Sequence, residues 1–176
     1  MSKPLATMSF EAMLGAVRLR LKRIERVVSS RFSNAGQVVA TLGVDTAIPN
    51  AWVDLLTVTI KPSVPMTVTL VAACSVQSTA AGQPSVRIGL FEGSAAAGSG
   101  TLLAIGGVLD LQGSTVATQP IENVPLGLTV ALSNVRGSHT YTLAAFKSPS
   151  GAASARGPVG SGGYTGPGTT LQAIIA

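Results

Sequence analysis

Met66-Thr67-Val68-Thr69-Leu70-Val71-Ala72-Ala73-Cys74 is the stretch that decides the fold of this 176-residue chain. Met66, Val68, Leu70, Ala72 and Cys74 alternate with Thr67, Thr69 and Val71. A period of two places the first set on one face of a strand and the second on the other, so this is a strand with one buried side. The same period recurs on both sides of it. Trp52, Leu56, Val58 and Ile60 alternate with Val53, Leu55, Thr57 and Thr59; Val86, Ile88 and Leu90 flank Arg87 and Gly89; Leu126, Leu128, Val130 and Leu132 flank Gly127, Thr129 and Ala131. Weaker strand patterns occupy 37–42, 101–111, 138–147 and 169–175.

Turn signals separate these runs: Lys61-Pro62-Ser63, Ala81-Gly82-Gln83-Pro84, Gly93 through Gly100, and Asn134 through Ser138. About eight short strands with such breaks predict an antiparallel β-sandwich or jelly roll. Residues 148–168 are rich in Gly, Ser and Pro and hold few apolar side chains, so they are expected to form a long flap before the last strand.

The period is different at the start of the chain. Phe10, Leu14, Val17, Leu21, Ile24 and Val28 are spaced 4-3-4-3-4, a narrow heptad stripe on a helix that is charged almost everywhere else. Ser9 is placed to cap it and Glu11 to meet its positive first turn. Ser-Ser at 29–30, then Ser33-Asn34-Ala35-Gly36, ends it. Such a stripe has little to bury within one chain and closes when several copies wind together. β-Branched Val17 and Ile24 at two d positions disfavour a parallel dimer, so a trimeric coiled coil is expected, with a tetramer next. The fold class is therefore mainly β: an N-terminal α-helix in a trimeric coiled coil (residues 1–33), then a β-sandwich (34–176) with its flap at 148–168.

Charge follows the same division. Residues 1–31 carry seven basic side chains against two acidic ones, a net of +5, while residues 32–176 carry five of each. Arg18, Arg20, Lys22, Arg23 and Arg26 on the helix are the expected docking residues, facing solvent or an acidic partner. No aromatic residue interleaves with them, so base stacking is not expected and nucleic acid is an unfavoured partner. Charged residues make up 11% of the chain, against about 25% in ordinary soluble domains. Mean hydropathy is +0.46, yet no apolar run approaches the roughly 18 residues that read as a membrane span. A surface built largely of Ser, Thr, Ala and Gly is expected, partly covered by neighbouring subunits. The early Arg18, Arg20 and Lys22 also argue against a secretory signal.

Chemistry has few places to reside. His139 is the single histidine and Cys74 the single cysteine, which excludes an intrachain disulfide and a multi-histidine metal site within one chain. His139 opens a strand-like run and lies in no G-x-S-x-G context, so it is read as a local hydrogen-bonding residue near a sheet edge or a subunit contact. Asp45, Asp54, Glu92, Asp110 and Glu122 show no paired spacing. The glycine-rich 148–168 segment lacks the phosphate-loop pattern. No catalytic, metal or cofactor site is expected, and Tyr164 in the flap is read equally as a receptor contact and as an anchor of the flap.

A short heptad helix, then a Thr/Ala/Gly-rich β region with AWVDLLTVTI, VRIGLFEG and GSHTYTLAAF, and a last strand TTLQAIIA, together resemble trimeric bacteriophage virion proteins: tail-fibre, head-fibre and tail-tip knobs, and more distantly tumour-necrosis-factor-like trimers. The resemblance implies a non-enzymatic structural component of a phage particle. It would be a homotrimer located in the virion, docked on other virion proteins of the capsid or tail, with a host-surface receptor as a further partner. The short coil, without a long shaft, implies a compact knob. Two alternatives remain beside it: a capsid decoration protein that clamps the shell, and a glycan- or receptor-binding module, for which only Trp52, Tyr141 and Tyr164 offer an aromatic platform.

Overall fold

The computed structural model describes residues 14–15, 17–24, 36–78, 84–106, 108–111, 124–157 and 168–176. Residues 14, 15 and 17–24 are helical. The remainder forms eleven strands: β1 (Gly36–Thr41), β2 (Thr46–Ile48), β3 (Val53–Ile60), β4 (Met66–Ser78), β5 (Ser85–Glu92), β6 (Thr101–Ile105), β7 (Leu109–Asp110), β8 (Val124–Val135), β9 (His139–Lys147), β10 (Ala153–Ala155) and β11 (Thr170–Ile175).

All pairings are antiparallel. One sheet runs β1-β11-β4-β8, with β10 and then β2 continuing beyond β11 along the same edge of β4; the other runs β3-β9-β5-β6, with β7 also on β5. The principal pairs are nested in sequence: β1 with β11, β3 with β9, β4 with β8, and β5 with β6. A long hairpin wrapped so that its arms alternate between two sheets gives this order, and it is the connectivity of a jelly roll.

The alternation read from 66–74 is what closes the sandwich. Val68, Leu70, Ala72, Cys74 and Val76 of β4 are all 0–2% exposed and meet Val86, Ile88 and Leu90 of β5, Leu143 of β9 and Leu171 of β11 in one core. Each such aliphatic side chain contributes about 1.5–3 kcal/mol on burial.

Three expectations need correction. The alternation puts Trp52, just before β3, in phase with Leu56, Val58 and Ile60 on the buried face, but it stands outside the core and packs on the solvent side of the sheet. The cause is a β-bulge: Asp54 pairs with Ala144 and Leu56 with Leu143, so Leu55 is an extra residue and the phase inverts upstream of it. Val53 turns inward and Trp52 outward.

The second concerns the 148–168 flap. Few apolar side chains do not keep all of it from the core: Ala153-Ser154-Ala155 forms β10 between β4 and β2, with Ala153 and Ala155 in the core. The third is the 101–111 run, which breaks into β6 and β7, both paired to β5.

Candidate functional site

Helical residues 14, 15 and 17–24 are all exposed. Leu14 is 41% exposed, Val17 52%, Leu21 53% and Ile24 57%, so the described part of the predicted stripe covers nothing in its own chain. Leu19, outside the stripe, is exposed as well. Arg18, Arg20, Lys22 and Arg23 share the helix with the stripe. Phe10, Val28, Arg26 and Tyr164 lie outside the described residues.

The two sheets differ in charge. β3, β5, β7 and β9 bear Asp54, Arg87, Glu92, Asp110 and Lys147; β1, β2, β4, β8, β10 and β11 bear no charged residue at all. Register fixes what the outer face of the neutral sheet presents. Its central row is Val39, Gln172, Val71 and Thr129, and the flanking rows hold only Thr, Ala, Gly, Gln and Ile. Val39 is 51% exposed and Ile174 38%.

The opposite outer face is covered by the chain itself. Trp52 meets Phe91 and Phe146 edge-on, with ring centroids 5.0 Å and 4.7 Å apart. Gly89 lies beneath, where a Cβ would come within 2.8 Å of Phe91 and 3.1 Å of Trp52. Asp54, carried outward by the bulge, organises the turn after β5. Its Oδ2 accepts from Ser94 Oγ at 2.5 Å, and its Oδ1 accepts from the backbone N–H groups of Ala95 and Ala96 at 3.0 Å each. The sequence held one signal for this cluster, a glycine in mid-strand, which often marks close approach by another group. Tyr141 is 1% exposed and belongs to the core, so the aromatic platform considered for glycans loses one member.

His139 opens β9, an interior strand of its sheet rather than an edge. Its Nδ1 lies 2.6 Å from Glu92 Oε1 and its Nε2 2.9 Å from the Arg136 carbonyl. Both partners accept, so a ring that satisfies both carries both protons. The Glu92 hydrogen bond, followed by that of Arg136, raises the imidazole pKa. The Tyr141 phenol, stacked 6.2 Å away, is pushed up to about 12 by burial and the nearby Glu92 charge. This is a strand-end clasp between β5 and the β8–β9 turn. Cys74 is wholly buried, accepts from Thr169 Oγ1 at 3.6 Å, and has its thiol pushed up to about 11 by burial. Among the described residues no group of His, Cys, Asp or Glu side chains could hold a metal ion.

Arg156, only 1% exposed, is the largest fully buried side chain among the described residues. Its Nη1 donates to Gln77 Oε1, and its Nε lies 3.4 Å from Asp45 Oδ2. Asp45 Oδ1 accepts the Gly157 N–H, and Gln77 Nε2 donates to Ser154 Oγ. A buried charge persists when it is paired and hydrogen-bonded, and here the pair ties β10 to β4 and to the segment before β2. It reads as a structural staple.

No family model and no curated protein sequence matches the chain. Among solved structures, 80% of it is similar to Eiger TNF from S. frugiperda, at 9% identity and a TM-score of 0.42, over 85% of that chain. The infectious bursal disease virus structures of the Gx and Gt strains are similar over the same share, at 10% and 13% identity and a TM-score of 0.38 each. There the likeness spans 35% and 37% of the viral chains.

Proposed function

We propose that this chain is a non-enzymatic structural subunit of a virus particle, of the phage knob type, which self-associates as a trimer through its N-terminal helix and docks there on other virion proteins. The observation that carries the reading is the exposed stripe Leu14, Val17, Leu21 and Ile24 on an otherwise basic helix. Large apolar side chains left half in water gain about 1 kcal/mol each when copies cover them, from area alone. A helix of this length is marginal in isolation, so its stability has to come from packing. The jelly roll then serves as the projecting body, and the Arg and Lys side chains between the stripe positions are the docking surface for an acidic virion partner.

Native mass by sedimentation, with the β signal in circular dichroism alongside, tests this. The full-length chain is expected to sediment as a trimer. Leu21→Asp places three carboxylates around one axis and should release monomers with the β signal retained. An unchanged mass for Leu21→Asp removes the helix from assembly. Mass spectrometry of purified particles of the parent virus tests the location, and absence of the chain from them sinks the virion role.

A further inference from the structure

We infer that the outer face of the charge-free sheet, β1-β11-β4-β8, is a second contact between copies of this chain. The inference deepens the proposed helix-mediated assembly and rests on it for the tether.

Ordinary exposed surfaces carry roughly a quarter to a third charged residues, and charge is depleted mainly at interface centres. Here every charged strand residue belongs to the other sheet. The outward row Val39, Gln172, Val71 and Thr129 offers aliphatic, amide and hydroxyl groups and nothing ionic. Both lateral strands, β1 and β8, also lack the Lys residues, charges or inward-pointing ions with which a monomer blunts its edges. Within β1 and β8 themselves, Pro125 is the one residue of the kind that blunts an edge.

Chemistry selects the occupant. A partner rich in charge would have to desolvate that charge against a face with no counter-ion, which costs more than it returns. A second copy brings equally neutral surface, and in a threefold assembly the face of one copy meets the charge-free β1 or β8 flank of the next. Covalent continuity then brings the copies together. Residues 25–35 join the described helix to β1 and reach at most about 40 Å when fully extended. β1 is itself an edge of the neutral sheet, so gathered helices hold the neutral faces of their copies close together at millimolar effective concentration.

Size explains why a tether is needed. Four strands about 4.8 Å apart, over about six residues of 3.3 Å, make a footprint of about 19 Å by 20 Å. That is under half of the roughly 800 Å² per partner in a standard stable interface. The face supplies one part of an interface and the helix stripe another.

The test uses full-length protein with one added thiol, Thr129→Cys on the neutral face or Thr57→Cys on the opposite outer face, both at exposed positions. Native Cys74 is buried, so maleimide reads the added thiol alone. Thr129→Cys is expected to label at least tenfold more slowly than Thr57→Cys, and adding Val39→Lys should bring the two rates together with the circular dichroism unchanged. Equal labelling of the two thiols, both fast or both slow, overturns the inference, as does a monomeric wild-type chain. Leu21→Asp separates this from the helix reading. If it lowers the native mass while the thiols of the parent label equally, the helix assembles the chain and the face does not. If it leaves the mass and the slow labelling intact while Val39→Lys lowers the mass and speeds the labelling, the face assembles the chain without the helix.

Discussion

Over Gly89, in the middle of β5, the chain lays Trp52, Phe91 and Leu102 so closely that a Cβ would sit 2.8–3.4 Å from all three; over Gly127, in the middle of β8, the nearest such atom is the Ala72 carbonyl oxygen at 3.9 Å. The two glycines stand on the outer faces of opposite sheets. One face has been finished within the chain, with an aromatic cover, an aspartate-capped turn and charged strand residues around it. The other is neutral, with Val39 and Thr129 exposed and Val71 and Gln172 half-buried along its central row. Both sheets close the same core with similar aliphatic residues, so burial inside the sandwich does not distinguish them. The difference lies in what each outer face carries, and it is the ground for inferring a neighbour on the neutral sheet.

Truncation should reveal the asymmetry most strongly at Trp52. Trp52→Ala strips the edge-on contacts to Phe91 and Phe146 and opens the space above Gly89, for an expected loss of about 3 kcal/mol in urea unfolding at fixed protein concentration. Val39→Ala, on the neutral face, is expected to cost about 0.5 kcal/mol or less in fold stability. Equal losses at the two positions would mean that the neutral face is as tightly packed as the aromatic one.

Filling the two glycines gives a smaller effect of the same kind. Gly89→Val must displace the Phe91 ring and should cost about 1–3 kcal/mol through overpacking. Gly127→Val meets open space, and a β-branched residue in a strand should leave stability unchanged or raise it by up to about 1 kcal/mol. If Gly127→Val also lowers the native mass without lowering the unfolding midpoint, the added methyls have met another copy rather than the protein's own chain.

How far the sequence could be read depends on which physical signal each element left in it. The β4 alternation from Met66 to Cys74 needs both a solvent and a core side, and it predicted the sandwich directly. The bulge at Leu55 left no mark, because Val53, Leu55 and Leu56 are all apolar and either phase looked acceptable; Trp52 was misplaced as a consequence. β10 was missed because Ala153 and Ala155 are small, and their burial comes from pairing on both sides with β4 and β2 rather than from their own hydrophobicity. Arg156 reads as a surface residue until Asp45 and Gln77 are brought beside it by strands far away in sequence. The heptad stripe is a pattern in the letters; four of its six positions lie in the described helix, where every described residue is exposed, so exposure in one chain does not single it out. The separation of charge between sheets was present in the letters throughout, but it acquires meaning only once the strands have been sorted into their two sheets.

That separation also predicts where pH can act. The neutral sheet has no titratable strand residue outside buried Cys74, whereas the other sheet ends in the His139 clasp to Glu92 and the Arg136 carbonyl. The folded-state imidazole pKa lies above its unfolded value of about 6.5, because the hydrogen bond to Glu92, then that to Arg136, favours the protonated ring. The clasp therefore contributes its full stability below about pH 6.5 and loses it as pH rises through the folded pKa. The unfolding midpoint should fall modestly as pH rises above about 6.5, and His139→Asn should flatten that slope while leaving the slow labelling at position 129 unaltered. A slope that survives His139→Asn would assign the titration elsewhere. A labelling rate at position 129 that changes with it would mean the two faces are coupled through the core, and the division between a finished face and a waiting one would have to be redrawn.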